Sequence, residues 1–307
     1  MTNADGDRHG ARQAAGEAPG TAVPEPVATA ARPLLGAIDR ITVLGGMGGA
    51  RVVQLAGPGG TLVAKGGVSG RERAVYERLV ASLAERGVRI PRWHATVLDG
   101  DDVWLLIEDI PVPLPPDRWL ADASVMATLR RLHALPTAAL DVLPSRFRPA
   151  WTASMEAAAL AWLGDGTLGH GRLAALREEA APLFEPTTVI SGDPNPLNWG
   201  LSATGELVLL DWERIGLGHP ALDVAITVPG LGTLPAFQRA VASYRSDGGP
   251  EVSARQLVLA KLWSVVELLA PTPTRSDENG RDGPRQRRSE TASQVAALLP
   301  SWLDEVT

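Results

Sequence analysis

Apolar residues recur along this chain in two rhythms. Up to about residue 108 they come in short blocks, separated by glycine and proline turns. Beyond about residue 120 they recur every three or four positions. The first rhythm predicts strands over 38–44, 51–55, 61–65, 93–98 and 103–108. Gly57-Pro58-Gly59-Gly60 and Asp99-Gly100-Asp101 read as hairpin turns, and Gly45-Gly46-Met47-Gly48-Gly49 as a flexible one. A helix interrupts the strands over 70–85, with Ser69 placed to cap it and Val75, Leu79 and Leu83 on one face. The second rhythm predicts helices over 122–135, 155–163, 172–183, 234–243, 253–269 and 291–304. A β-rich block around 187–211 breaks that series.

The change of rhythm falls at the proline-rich run Pro111-Val112-Pro113-Leu114-Pro115-Pro116, which reads as a domain boundary. The expected fold class is therefore α+β: a small antiparallel sheet with one helix over 34–110, then a larger, mainly helical part over 111–307. Residues 1–33 carry little bulky apolar surface and are expected to form a disordered tail. The stretch 271–290 is polar and rich in Pro, Gly and Arg, and is expected to be a mobile loop. No internal repeat is visible.

Composition narrows the function classes. A formal charge of −6, from 29 Lys+Arg against 35 Asp+Glu, lacks the basic footprint of a nucleic-acid binder and is compatible with a cationic substrate. The chain has no cysteine, so disulfides and thiolate metal sites are excluded. The N-terminal stretch has no apolar core of a secretory signal, and no apolar run is long enough to span a bilayer. No membrane association and a cytoplasmic location are the expectation.

The chemistry concentrates in Val189-Ile190-Ser191-Gly192-Asp193-Pro194-Asn195-Pro196-Leu197-Asn198 and in Leu207-Val208-Leu209-Leu210-Asp211-Trp212-Glu213. A β-branched pair leads into a loop with an Asp and, five residues on, an Asn; a short apolar strand then ends on a second Asp. Phosphoryl transfer from a magnesium nucleotide needs such a set. Asp193 can accept or orient the proton of an attacking hydroxyl. Asn198 offers a neutral oxygen to the metal, and Asp211 a carboxylate that bridges metal and phosphates. Lys65, at the end of Leu62-Val63-Ala64-Lys65, can hold nucleotide phosphates as a point charge. Glu72 is the carboxylate expected to steady it, with Glu77 as the alternative. Gly46 and Gly48 let backbone N–H groups approach phosphate, although the turn is not a strict G-x-G-x-x-G. Backbone groups of Leu106-Ile107-Glu108-Asp109-Ile110 can pair with an adenine edge. His133 reads as a packing residue at a helix end, and Asp223 as a brace for the catalytic loop. Trp151, Glu156, Trp162, Trp263 and Glu267 are candidate walls of an acceptor site, where tryptophans and carboxylates would suit an amine. No Walker A, no G-x-S-x-G elbow and no metal-type histidine spacing occurs.

Taken together, these residues resemble the aminoglycoside phosphotransferase and choline kinase-like family of the protein-kinase-like superfamily. The family loop H-G-D-x-x-x-x-N is matched by Ser191-Gly192-Asp193 through Asn198, with serine in place of the histidine. The metal motif is matched by Leu210-Asp211-Trp212-Glu213, and the trailing D-L-A element by Asp223-Val224-Ala225. The resemblance covers roughly residues 34–305 and implies a bilobal kinase-like fold. It makes Asp193 the catalytic base, Asn198 and Asp211 the Mg²⁺ ligands, and Lys65 and Glu72 the phosphate-holding pair. It places adenine of ATP at 106–110, with Glu108 and Ile110 as its backbone contacts. Only a short segment separates Asp211 from Asp223, which favours a small hydroxylated acceptor. A precursor-peptide Ser/Thr kinase and a nucleotide-binding pseudokinase acting as an interaction module are the alternatives. The oligomeric state is not legible.

Overall fold

The structure is a computed structural model that describes residues 23–44, 50–163, 170–246, 251–270 and 283–307. The chain divides into two compact units: residues up to Ser69 together with Pro91–Asp109, and Gly70–Ile90 together with Ile110–Thr307. The sequence boundary near 110 is thus one of the divisions, but the segment 70–90 belongs with the helices rather than with the sheet that flanks it in sequence.

The first unit is a five-stranded antiparallel sheet carrying one helix. The helix α1 (Glu25–Leu35) precedes β1 (Arg40–Leu44), β2 (Arg51–Gly57), β3 (Gly60–Gly66), β4 (Trp93–Asp99) and β5 (Asp102–Glu108), in sheet order β1-β2-β3-β5-β4. Each strand lies within two or three residues of its expected bounds. The predicted tail, by contrast, is corrected by α1. Its residues 1–22 lie outside the described residues, but 25–35 are helical, with Val27, Ala31 and Leu35 fully buried. Three apolar residues at a spacing of four make a stripe, and that stripe covers the sheet face formed by Val53, Leu55, Leu62, Ala64, Trp104 and Leu106. Pro24 starts the helix and Gly36, at φ 75°, ends it. The hairpin turn is fitted to it. A side chain at Gly57 would lie 2.1 Å from Ala37 O, and one at Gly59 2.2 Å from Leu34 O.

The opposite face of the sheet follows from the register. Val52, Gln54, Val63, Lys65, Leu105 and Ile107 alternate with the buried set and pair as Val52↔Lys65↔Leu105 and Gln54↔Val63↔Ile107. The face carrying Lys65 is therefore the one that α1 leaves uncovered.

The second unit begins with one continuous helical run: α2 (Gly70–Ala74), a π-helical turn over Val75–Leu79, and α3 (Val80–Glu85). After the short β6 (Val112–Pro113) come α4 (Ala123–His133), α5 (Ala153–Leu163) and α6 (His170–Ala180), then β7 (Thr188–Ile190), β8 (Trp199–Leu201), β9 (Leu207–Leu209) and β10 (Gly216–Gly218), and finally α7 (Pro220–Ile226), α8 (Leu234–Arg245), α9 (Ala254–Leu269) and α10 (Gly283–Val306). The helix starts are chemically marked. Asp122 accepts from the N–H groups of Ser124 and Val125 at 2.9 and 3.0 Å, Thr233 caps α8, and Ser253 with Gln256 forms a reciprocal capping box on α9. The apolar α9 is buried along its length and touches α5, α6, α7, α8 and α10, which makes it the axle of the unit. Of the predicted mobile loop, 271–282 lies outside the described residues; the rest is corrected, since α10 already begins at Gly283. No described helix is long and apolar enough to cross a membrane.

Candidate active site

The loop after β7 is held by a buried acid. Asp223 on α7 is fully buried, and its Oδ2 and Oδ1 accept the N–H groups of Ser191 and Gly192 at 2.7 and 2.8 Å. His133, at the end of α4, sets Nε2 3.1 Å from the same Oδ2, and its Nδ1 lies 2.6 Å from the Tyr244 hydroxyl on α8. Three elements distant in sequence thus fix the two residues that precede Asp193. The bracing role expected of Asp223 is what the geometry shows, and His133 packs at its helix end as read from sequence. Its bonds to Asp223 and Tyr244 were invisible there, since nothing local links position 133 to 223 or 244. Burial, with the Asp223 charge adding to it, pushes the Tyr244 hydroxyl well above its ordinary pKa, so it stays a donor.

Gly192 is required by shape. It sits at φ 80°, and a β-carbon there would lie 2.3 Å from the backbone oxygen of Arg214. That close approach presses the loop against the segment following Asp211. Two further bonds close the arrangement. Asn198 Nδ2 donates to the backbone oxygen of Asp193 at 2.8 Å and lies 3.3 Å from its Oδ2. The N–H of Leu210 donates to Asn198 O at 2.8 Å, which brings Asp211 next to the loop. Asp211 itself adopts φ 55°, an uncommon left-handed conformation for a non-glycine residue. Its neighbour Trp212 is fully buried, with Nε1 donating to Leu209 O at 3.0 Å, and anchors the turn that holds Asp211 there.

Asp193 is partly buried. Burial raises its pKa, opposed by the Asn195 Nδ2 hydrogen bond at 2.9 Å and the charge of Arg214. A carboxylate raised in this way gains basicity, which suits it to take a proton. Asn198 turns its amide nitrogen to Asp193, so the Oδ1 carbonyl is the end left to face a cation.

A cation would meet oxygen ligands here. Carboxylate oxygens of Glu72, Asp211 and Glu213 all lie within 4.8 Å of one another. Three like charges so close repel unless a positive charge joins them, and an all-oxygen donor set suits a hard divalent ion such as Mg²⁺. The residues present therefore fit the metal. Glu213, which follows the predicted ligand by two positions, was not among the sequence candidates. Its place in the motif Asp211-Trp212-Glu213 was the available signal. Tyr76, in the π-helical turn and four residues after Glu72, is raised well above its ordinary pKa by burial first, then by the charges of Glu72 and Asp211. Glu77, the alternative partner for Lys65, instead pairs with Arg73 at 2.8 Å.

The remaining candidates fall as follows. Lys65 is buried on β3, in the row of Val52 and Leu105, and belongs to the sheet unit, whereas Glu72 belongs to the helical one. Gly46 and Gly48 lie outside the described residues. Glu108 ends β5 and exchanges hydrogen bonds with the Arg92 backbone, N–H to O at 2.8 Å and Oε2 from N–H at 3.0 Å. Ile110 is buried against Gly200, where a side chain would meet its Cγ2 at 2.6 Å. Among the acceptor-wall candidates, Glu156 pairs with Arg177 at 2.8 Å and Glu267 with Arg214 at 2.6 Å. Trp263 is a core residue whose Nε1 donates to Ala150 O at 2.9 Å, and Trp162 is exposed. Trp151 is buried, and its Nε1 has no partner among the described residues. Lys261 was not read from sequence. It lies buried on α9, donates to Val228 O at 2.8 Å, and is lowered to about 7 by burial, with Asp193 pulling the other way.

Known proteins resemble this chain in family and in fold. A search of curated proteins finds no match to the sequence. Among solved structures, a spectinomycin phosphotransferase in complex with ADP and spectinomycin is similar over 87% of this chain and 93% of its own, at 13% identity and TM-score 0.60. The choline kinase LicA from Streptococcus pneumoniae is similar over 88% of this chain and 97% of its own, at 17% identity and TM-score 0.57. An aminoglycoside-3′-phosphotransferase of type VIII covers 77% of this chain and 97% of its own, at 23% identity and TM-score 0.50. At these identities the likeness is one of fold, the kinase-like pairing of an antiparallel sheet region with a helical region. The phosphotransferase enzyme family matches residues 40–269, well over half of the sequence, and the chain belongs to that family.

Proposed function

We propose that this phosphotransferase moves the γ-phosphate of ATP to a hydroxyl of a small molecule, either a hydroxylated antibiotic of the aminoglycoside kind or a hydroxylated metabolite. The observation that carries the reading is the closed set around the catalytic loop: Asp193 held by Asn195 and Asn198, and Asn198 tied through Leu210 N–H to the turn bearing Asp211. Asp193 takes or orients the hydroxyl proton of the acceptor. Its burial supplies the basicity, and its hydrogen bonds supply the aim. Asn198 and Asp211 hold Mg²⁺, with Glu213 and Glu72 close enough to share the charge. When bound, the ion neutralises and aligns the phosphates. Lys65 holds phosphate oxygens, and backbone groups at Glu108 and Ile110 take the base.

Glu156 and Glu267 are already engaged by arginines. The reading therefore asks for a hydroxyl on the acceptor and does not ask for a positive charge. Spectinomycin and choline, named with the two structural neighbours, mark the range of acceptor size to test. Labelled ATP and Mg²⁺, offered with aminoglycosides, spectinomycin, macrolides, choline and simple polyols, test the proposal directly. Label transferred to one of these, and lost on chelation of the metal, is the expected result. Binding of ATP without transfer to any acceptor or to water would refute it.

A further inference from the structure

The sheet face that carries Lys65 holds one polar pair that the phosphotransfer reading does not use. Gln54 sits in the row Gln54↔Val63↔Ile107, on the side of the sheet opposite α1. Its Nε2 donates to Asp109 Oδ2 at 2.6 Å, across β3 and into the segment that follows β5. Asp109 thus belongs to the same face, as alternation from Ile107 also requires. Its second oxygen, Oδ1, is buried and has no hydrogen-bond partner among the described residues. A buried carboxylate oxygen without a donor is an expensive arrangement unless a ligand completes it.

Its position selects the ligand. Asp109 lies four residues beyond Leu105, the cross-strand partner of Lys65. At roughly 3.3 Å per residue it stands about 13 Å along the sheet from the row that holds the phosphates in the reading above. That is the reach of an extended nucleotide, base at one end and phosphates at the other. The chemistry selects among bases. A carboxylate oxygen only accepts. The pairing edge of guanine carries two adjacent N–H donors, on N1 and N2. The same edge of adenine sets one amine beside a bare N1, whose lone pair would face the carboxylate.

We propose that the Gln54–Asp109 pair is a base-reading element that accepts guanine N–H groups, so that GTP serves as a phosphate donor alongside ATP. The proposal rests on the phosphotransferase reading, since it places a nucleotide on the Lys65 face. Gln54 is a positioning residue: it engages Oδ2 and leaves Oδ1 directed at the base.

Titration calorimetry with ADP and with GDP, each with Mg²⁺, tests it on the full chain without knowledge of the acceptor. Wild type is expected to bind GDP at least as tightly as ADP. Asp109→Ala is expected to weaken GDP by about tenfold or more, the worth of a hydrogen bond to a charged group, and ADP by much less. Gln54→Met, which keeps the length of the side chain and removes the donor, is expected to shift the GDP:ADP ratio in the same direction by a smaller factor. Melting curves of both variants without nucleotide separate a lost contact from a lost fold. An unchanged GDP:ADP ratio in both folded variants overturns the proposal, as does ADP binding by a wild type that ignores GDP. In those cases the phosphotransferase reading survives. Binding of neither ADP nor GDP to wild type removes both readings.

Discussion

At the scale of single residues, three positions around the catalytic loop have separable jobs. In the proposed reaction Asp193 does the chemistry, and the side-chain bonds it accepts come from its own loop, from Asn195 and Asn198. Asp193→Ala should lower turnover by roughly 10²- to 10⁴-fold, the usual loss on removing a general base, with a melting curve close to wild type. Near-wild-type turnover in that variant would take Asp193 out of the mechanism. Gly192 does the opposite. A methyl group there meets the Arg214 backbone oxygen at 2.3 Å, and the residue would have to keep φ 80°. Gly192→Ala should therefore cost about 1–3 kcal/mol of stability in a urea titration and lower turnover as well, because the loop must move to admit the methyl group. Asp223 is structural through its bonds. Asp223→Ala leaves two buried N–H groups and His133 without their acceptor, and should destabilise by about 3 kcal/mol or more in the same titration, at about 1–3 kcal/mol for each of these three groups left unsatisfied. Asp193, Asn198 and Asp211 could be picked out from the order of residue types alone, because a loop and a strand end are local objects. Glu213 had its place in the motif Asp211-Trp212-Glu213 as a local signal; Tyr76 had none, because its meaning comes from lying near the charges of Glu72 and Asp211.

At the scale of elements, α1 is where sequence reasoning and structure part. The stretch 25–35 is Ala- and Pro-rich and of modest hydrophobicity, so composition suggests no order. Its three buried residues are worth little in an isolated chain, where a helix of 11 residues is marginal. They become decisive only when the apolar face of the sheet lies beneath them. Leu35→Ala should accordingly destabilise by about 2–5 kcal/mol, as for a buried leucine in any core, although it stands in a segment that reads as a tail. Thermal melting followed by circular dichroism checks this, and a change within 0.5 kcal/mol would mean that α1 does not cap the sheet in solution. The strands and most helices, by contrast, were legible within a few residues. Alternation and 3.6-residue periodicity survive in them because each has one buried face, and Asp122, Thr233 and Ser253 mark their starts chemically. The π-helical turn over Val75–Leu79 had no such signature. It keeps the same residue types and shifts only the hydrogen-bond register.

At the scale of the whole molecule, Lys261 ties stability to pH. Its pKa is lowered from 10.5 to about 7 by burial, with Asp193 acting against that. Between these values the unfolded chain holds a proton on this residue that the native chain lacks. Native stability should thus rise with pH across that window, by up to about 1.4 kcal/mol for each pH unit from this group alone. Below about pH 7 the amine is protonated in both states and contributes no slope. Lys261→Met should flatten the stability profile from pH 7 to 10 and leave its acid side unchanged, as read from denaturant midpoints at a series of pH values. An identical slope in both proteins would show that the amine is not desolvated. The nucleotide should also act on the molecule as a whole. A ligand at 100 times its Kd adds about 2.7 kcal/mol to stability. ADP at such a level should raise the melting temperature with Mg²⁺ present and markedly less after chelation.

What the order of residues determined is the set of local patterns: two periodicities, the turn chemistry between them, and the spacing of Asp193, Asn198 and Asp211. These can be read because a strand, a helix or a loop records in its own few residues which face will be buried and which groups will be exposed. What the tertiary structure alone decided is everything that needs two distant segments to meet. It set α1 on the sheet, brought His133 and Tyr244 behind Asp223, gathered Glu72 and Glu213 around Asp211, and left one oxygen of Asp109 without a donor among the described residues. Hydrogen bonds and close packing act over a few ångströms, so a partner a hundred residues away along the chain leaves no trace in local sequence until folding brings it within reach.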